Sequence, residues 1–353
     1  MQFVKYVGHK DLMIQQKQQP LSISVVIPTC NRKKQLLSLL QNLGHSSYPL
    51  LEVIIIDSGE DRLSPDDYAM FRNFPVTYMA SEKSVCIQRN IGIANAKGEW
   101  IFLCDDDVEV PVDYIQKLVN HLEQNKDAGA VSGLFLQTYN DKWEDKYSIT
   151  SAALTSWNFI FKLSIWGEVN CKDNLFITGI KKYYKQKRNH ISKAGWPVVT
   201  DFSGDYFESP LYSLGASLVR RQWLIRSPFD EVLDPHGIGD NYGVAFGFPS
   251  KIHVLNSAWV YHHRVPENRL QKSLQYYRRT LALDYFRRTK QNFYNVKKIW
   301  LLWSLFGNLL MFAYMRNSLM LKASFKLIRI ISLNKNPYYW GALNKEKVVR
   351  PTL

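Results

Sequence analysis

QRNIGIANAKGEWIFLCDDDVEVP, residues 88–111, is the stretch on which the reading of the fold turns. Gln88–Lys97 has the look of a short helix, and Gly98 ends it. EWIFL, residues 99–103, is an apolar strand that runs into Asp105-Asp106-Asp107. Pro111 then opens a helix expected over Val112–Gln124, since proline suits a first helical turn. Three carboxylates directly after a buried strand are costly unless something neutralises them. A divalent cation bridging a diphosphate does so, and hard oxygen ligands suit Mg²⁺ or Mn²⁺. Alternate residues of an extended turn point the same way, so Asp105 and Asp107 are expected to share a metal or ribose site. The plainer explanation is an acidic helix N-terminus favoured by the helix dipole. A helix start at Pro111 leaves the aspartates several residues too early for that.

The pattern extends to both sides. ISVVI (23–27) reads as a buried strand, and Asn31–Leu43 has helical spacing of leucines. EVIII (52–56) is a second β-branched strand, PVTYMA (75–80) a short third, and GAVSGLF (129–135) a further one. Strands alternating with helices predict an α/β chain, with a mostly parallel central sheet and helices on both faces. Ligands of such sheets bind at the carboxyl ends of the strands. Pro28–Asn31, Asp57–Gly59 and Asp105–Asp107 all follow strands, so they are expected to converge on one crevice. Residues 136–210 lack clear periodicity and read as an irregular, substrate-shaped insertion, with Lys181–Arg188 as a solvated basic loop. Residues 211–219 and 251–261 return to strand character, the latter ending at His262-His263.

The chain has 353 residues and is 46% hydrophobic, enough for a sizeable core. Four scattered cysteines, with no C-x-x-C pair, argue against a disulfide framework or a structural zinc site. The first 20 residues lack the apolar core of a secretory signal. The formal charge of +14 is unevenly placed. Residues 1–268 hold 28 lysines and arginines against 29 acids, whereas residues 269–353 hold 17 against two, Asp284 and Glu346. A nucleic-acid partner is not expected, because the body is not basic. Within the tail, basic residues interleave with apolar ones at helical spacing over 269–298, and IWLLWSLFGNLLMFAYM (299–315) is free of charge. Such a segment suits a helix lying in the headgroup region of an anionic membrane, through residues 269–333, with a hairpin packed on the body or a membrane span as alternatives. Four regions follow: an N-terminal extension (1–21), a first half of the body (22–135), a second half (136–268) and a basic, helical, membrane-associating tail (269–353).

SVVIPTCNR (24–32), EVIIIDSG (52–59), the opening stretch and GASLVRRQWLIRSPFDEVLDPHGIGDNYGVAFGFPSKIHVLNSAWVYHH (215–263) occur in the order and spacing of glycosyltransferase family 2. The chain resembles that family over roughly residues 22–264, which implies a nucleotide-sugar-binding half over 22–135 and an acceptor-binding half over 136–268. The resemblance implies a GT-A fold and an inverting, metal-assisted transfer from a nucleoside diphosphate sugar, UDP-linked, to a glycan or lipid-linked glycan. It implies that Pro28, Thr29 and Asn31 hold the nucleotide. Asp57 is expected to accept from the base, and Arg89 and Asn90 to contact nucleotide or phosphates. Asp105 and Asp106 fall to the donor and Asp107 to the metal, Mn²⁺ or Mg²⁺, with Asp106–Asp107 as an alternative register. Asp240 matches the general base, with Asp234 as its nearest competitor. His262, preferred over His263, is a further metal ligand. Trp157, Trp166 and Trp196 are candidates for sugar stacking. The implied place of work is the cytoplasmic face of the cell membrane.

Two other classes of protein are compatible with this architecture. A nucleotidyltransferase wants a glycine-rich loop after the first strand, and PTCNRKKQ has no glycine. A non-catalytic membrane scaffold would keep the fold without the chemistry. The lack of G-x-G-x-x-G after the first strand argues against a dehydrogenase.

Overall fold

The β-branched runs of the N-terminal half have no polar face, and they become strands covered on both sides. The computed structural model describes residues 20–139, 142–263, 270–290 and 295–353. The N-terminal extension lies outside the described residues, apart from residues 20 and 21. The first elements are β1 (Ile23–Thr29), α1 (Lys33–Gly44), β2 (Glu52–Asp57), α2 (Pro65–Ala69), β3 (Val76–Ala80), α3 (Val85–Asn95) and β4 (Trp100–Cys104). Every residue of β1, β2 and β4 is buried, as in parallel strands sandwiched between helices. Helix α1 turns Leu36, Leu39, Leu40 and Leu43 onto the sheet, one stripe at helical spacing. Helix α3 starts three residues before Gln88, because the Ser84 hydroxyl caps it by accepting from Ile87 N–H.

The expectation of an irregular insertion over 136–210 is corrected. After β5 (Val108–Glu109), α4 (Tyr114–Gln124) and β6 (Ala130–Tyr139) come β7 (Lys142–Glu144), β8 (Tyr147–Ile149), α5 (Ala152–Phe161), β9 (Ile165–Val169), α6 (Leu175–Lys187), β10 (His190–Ile191) and β11 (Pro197–Val199). Strands β10, β11, β9 and β8 form a small second sheet. Ile165, Cys171, Ile177, Ile180, Tyr184 and Val198 close a core of their own beside it. Strands this short carry too few alternations to register as a pattern. The basic run at 181–188 is likewise no loop. It is the second half of α6, with Ile177, Ile180 and Tyr184 buried and lysines in the last turn, where they suit the helix dipole.

The remaining body consists of β12 (Tyr206–Ser209), β13 (Ala216–Arg220), α7 (Arg221–Arg226), α8 (Asp240–Ala245) and β14 (Ile252–His262). The main sheet runs β3-β2-β1-β4-β13-β6-β14-β12. β13 and β12 are antiparallel to their neighbours, and the other six strands are parallel to one another. The two halves drawn at residue 135 therefore share one sheet, since β13 lies between β4 and β6. The order switches direction at β1, with β2 on one side and β4 on the other. A crevice opens at such a point, beyond the carboxyl ends of the strands. Short β5 pairs with the end of β14, Val108 opposite His262, which carries the aspartate cluster to that histidine.

The tail adds α9 (Lys272–Thr289), α10 (Lys298–Tyr314), α11 (Ser318–Ser332) and α12 (Pro337–Leu343). The lipid-facing reading of residues 269–298 is corrected for α9. Its Tyr277, Leu281, Ala282, Leu283, Tyr285 and Phe286 are buried in the main core. What seats it is Asp234, a fully buried carboxylate in the loop before α8. Asp234 accepts from His236 N–H and Ile238 N–H of its own loop, from Arg278 of α9 at 3.0 Å and from the Tyr338 hydroxyl of α12 at 3.0 Å. Burial alone would raise its pKa, but His236 and Arg278 hold it below the usual carboxylate range. Helix α10 buries Leu301, Ser304 and Leu305 and exposes Ile299, Trp303, Phe306 and Tyr314. Among the described residues no helix is long and apolar enough to cross a membrane.

Removing one partner of a buried ion pair leaves the other charge uncompensated. Asp234→Ala is therefore expected to cost about 3–5 kcal/mol, measured by urea unfolding. A loss under about 1 kcal/mol would mean that Arg278 finds water instead.

Candidate active site

The carboxyl ends of β1 and β4 meet at the switch point, and the aspartates there are pinned by the loop after β1. The Thr29 hydroxyl donates to Asp106 at 2.7 Å, and Arg32 Nη1 donates to the other Asp106 oxygen at 2.6 Å. The same nitrogen reaches Asp107 Oδ2 at 3.2 Å. Burial pushes Asp106 up to about 6, against the pull of Arg32. Asp107 Oδ1 faces His262 Nε2 at 3.3 Å. His263 turns away, to Glu109 at 2.8 Å, so of the two histidines it is His262 that lines the crevice.

A second arginine links the aspartate cluster to the loop after Asp234. Arg89, on α3 and buried, donates through Nη2 to Asp105 Oδ1 at 2.6 Å and through Nη1 to Asp240 Oδ2. Its guanidinium lies over the Phe229 ring, 5.0 Å from the centroid. Asp240 is the first residue of α8, and its Oδ1 accepts from Asn241 N–H at 2.6 Å. Burial raises its pKa to about 6, with Arg89 opposing. Two glycines make this geometry possible. A Cβ on Gly215 would lie 2.2 Å from Asp105 Oδ2, so only glycine leaves room for that carboxylate. Gly239 has φ +97°, a left-handed conformation that turns the chain into α8. Asp234 does not compete with Asp240, because four donors enclose it away from the crevice.

Three expected nucleotide contacts are occupied by the protein itself. Asp57 accepts from Gly59 N–H at 2.7 Å and from the Tyr78 hydroxyl. Asn31, at φ +53°, accepts from Glu60 and Asp61 N–H. Asn90 bonds to the Phe229 backbone and to Glu231. None of the three lines the crevice, whereas Pro28, Thr29, Ser58 and Arg89 do.

The crevice holds about 1100 Å³. Its far wall is aromatic, with Trp166, Trp196 and Tyr212, and Trp196 donates to Ser304 of α10. Trp157 lies outside it, against Phe161. The tail closes one side through Lys272, Gln275, Tyr276 and Arg279 of α9 and through Asn308 and Phe312 of α10. Arg32, Lys272 and Arg279 were not anticipated. Arg32 directly follows the strand-end motif, and 272, 275, 276 and 279 form one helical stripe, so a signal existed for each.

No group of three or more His, Cys, Asp or Glu among the described residues is set to hold a metal ion. Asp107 and His262 nonetheless form a two-donor edge. Adjacent ligands of an octahedral ion at about 2.1 Å stand about 3 Å apart, close to the observed 3.3 Å. A hard ion that completes its sphere from water and a diphosphate needs no more from the protein. The residues present therefore fit Mg²⁺ or Mn²⁺.

Arg89→Met would leave Asp240 buried and unpaired. A stability loss of about 3 kcal/mol is expected, measured by urea unfolding. Arg89→Met with Asp240→Asn should recover part of that loss, because it removes the stranded charge. Strict additivity of the two changes would show that the pair is not coupled.

Comparison with known proteins follows the same lines. Residues 24–194 match the family model described as Glycosyl transferase family 2. An uncharacterized glycosyltransferase of Haemophilus influenzae is 34% identical over 108 residues, covering 29% of this chain and 35% of that protein. The uncharacterized glycosyltransferase YwdF of Bacillus subtilis is 30% identical over 105 residues, covering 29% and 39%. The matched segments thus span little more than a third of those relatives. The solved structure of GalNAc-T7 with UDP, GalNAc and Mn²⁺ aligns over 92% of this chain and 58% of its own. Its TM-score is 0.53 at 13% identity, a likeness of fold. Strand order, the aspartate cluster and the match over residues 24–194 agree with a glycosyltransferase family 2 domain on a GT-A fold.

Proposed function

We propose that this chain is an inverting glycosyltransferase that moves a sugar from a nucleoside diphosphate, UDP, to a hydroxyl of a glycan or lipid-linked glycan. The observation that carries the reading is the Arg89 bridge, which holds Asp240 beside Asp105 across one crevice. Asp240 is the general base. It takes the proton from the acceptor hydroxyl while that oxygen forms a bond to the sugar C1. The bond from C1 to the diphosphate oxygen breaks, and the nucleoside diphosphate leaves with that electron pair. Asp105, Asp106 and Thr29 border the donor, and Pro28 lies beside the nucleotide. Asp107 and His262 would hold Mn²⁺ or Mg²⁺, which would offset charge on the departing diphosphate. Asp57, Asn31 and Asn90 act by fixing the loops around the nucleotide, since their polar atoms already have partners there. Trp166 and Trp196 offer faces to sugar rings from the far wall.

Asp240→Asn is expected to lower transfer from a panel of UDP-sugars by about 10²–10⁴-fold, with UDP affinity in Mn²⁺ little changed. Retained transfer would remove Asp240 as the base. A carboxyl that titrates near 6 accepts protons only above that pH. The rate should therefore rise with pH to a plateau, with its acid limb near 6, and fall about tenfold per unit below it.

The same reading places the protein on the cytoplasmic face of the cell membrane, held through the outer side of the tail. Support comes from Ile299, Trp303, Phe306 and Tyr314, which are exposed on one helix with Lys297 and Lys298 before it and Arg316 after it. Deleting the tail is no test, since α9 belongs to the core. Trp303→Ser with Phe306→Ser should instead abolish flotation with phosphatidylglycerol vesicles and leave the fold intact by circular dichroism. Undiminished flotation would refute this face as the contact.

A further inference from the structure

Most of the strong cations of α9 are occupied within the protein. Arg278 pairs with Asp234 at 3.0 Å, Arg287 with Asp284 at 2.7 Å and Lys290 with Asp230 at 2.9 Å. The Arg288 guanidinium stacks on Tyr339. Lys272 and Arg279 differ. Both are exposed, both line the crevice, and neither has a carboxylate partner among the described residues. Seven residues apart, they sit two turns along one face of the helix, with Gln275 and Tyr276 between them. Tyr276 accepts from Asn308 of α10, and Phe312 completes an apolar flank one turn further on.

Their position separates them from the donor. The loop that delivers Asp240 is wedged between two helices. A Cβ on Gly237 would meet Val85 and Cys86 of α3, and one on Gly239 would lie 3.7 Å from Arg279 Cα. Arg89 and the aspartate cluster lie on the α3 side, so Arg279 flanks the base from the other. A group there lies toward the incoming hydroxyl. Two univalent cations match the charge of a phosphate or diphosphate, while a neutral sugar would leave both uncompensated.

We propose that Lys272 and Arg279 form a subsite for a phosphate or diphosphate borne by the acceptor, with Tyr276 and Phe312 beside its carrier. This rests on the reading of the crevice as a glycosyltransferase site and narrows the acceptor to a phosphorylated one. The phosphate could arrive on a prenyl lipid or on a soluble sugar.

Calorimetry on the full chain tests this with UDP and Mn²⁺ in excess, using geranyl diphosphate, glucose 1-phosphate and geraniol as probes. At least one phosphorylated probe should bind about tenfold or more tightly than geraniol. Tighter binding of geranyl diphosphate assigns the phosphate to a lipid, and equal or tighter binding of glucose 1-phosphate assigns it to a soluble sugar. Lys272→Gln with Arg279→Gln should abolish that preference while Arg279→Lys keeps most of it. The inference is overturned if geraniol binds as well as the phosphorylated probes, or if the double variant binds them unchanged. It is overturned equally if the double variant loses UDP instead, since the cations then serve the donor. Failure of the wild-type chain to bind UDP in Mn²⁺ would sink the glycosyltransferase reading itself, and the acceptor assignment with it.

Discussion

Arg89 stands between two carboxylates that the chain brings together from 16 residues away and from 151 residues away. Much of the site depends on this contact. Asp240 is buried, and burial pushes a carboxyl toward its neutral form. The guanidinium opposes that push, so the acid reaches about 6 and no further. A carboxyl that titrates there is ionised at neutral pH and, in the proposed role of base, remains basic enough to take a hydroxyl proton. Arg32 plays the corresponding part for Asp106 and Asp107. Two arginines therefore divide a dense acidic cluster, Arg32 holding Asp106 and Asp107 and Arg89 holding Asp105 and Asp240.

The second constraint is the buried Asp234. It ties the base loop to α9 and α12, so a segment that begins beyond the family-matched residues helps to build the crevice. Arg278 also donates to the Pro351 carbonyl, which brings the last residues of the chain into the same network. Lys272, Tyr276 and Arg279 reach the cavity only because Tyr277, Leu281 and Tyr285, on the opposite face of the helix, are buried in the core. The basic tail is thus divided. Its first helix walls the crevice, and the outer side of α10 is what remains for a surface.

Much of the sheet was legible because its signals are local. ISVVI, EVIII and EWIFL each lack a polar face, and each became a fully buried strand. Residues 136–210 were not legible. Their strands are only two to five residues long, and a helix with lysines on its outer face looks like a charge run when read linearly. The tail misled in a different way. The stripe of Tyr277, Leu281 and Tyr285 is the same whether it faces lipid or a protein core, since both are apolar surroundings. Asp57, Asn31 and Asn90 were found by motif, but a motif does not say whether a side chain faces a ligand or its own loop.

What the sequence determined by itself was the alternation of strands and helices, the aspartate cluster at a strand end and the order of motifs leading to Asp240. Those are properties of neighbouring residues and of their spacing. Only the tertiary structure decided which histidine faces Asp107, which carboxylate stays open to the crevice and which cations enter it. Each of those outcomes is a pairing of charges between distant segments. Electrostatic partners are selected by distance in space and by loss of water, and neither quantity is written in the spacing of residues along the chain.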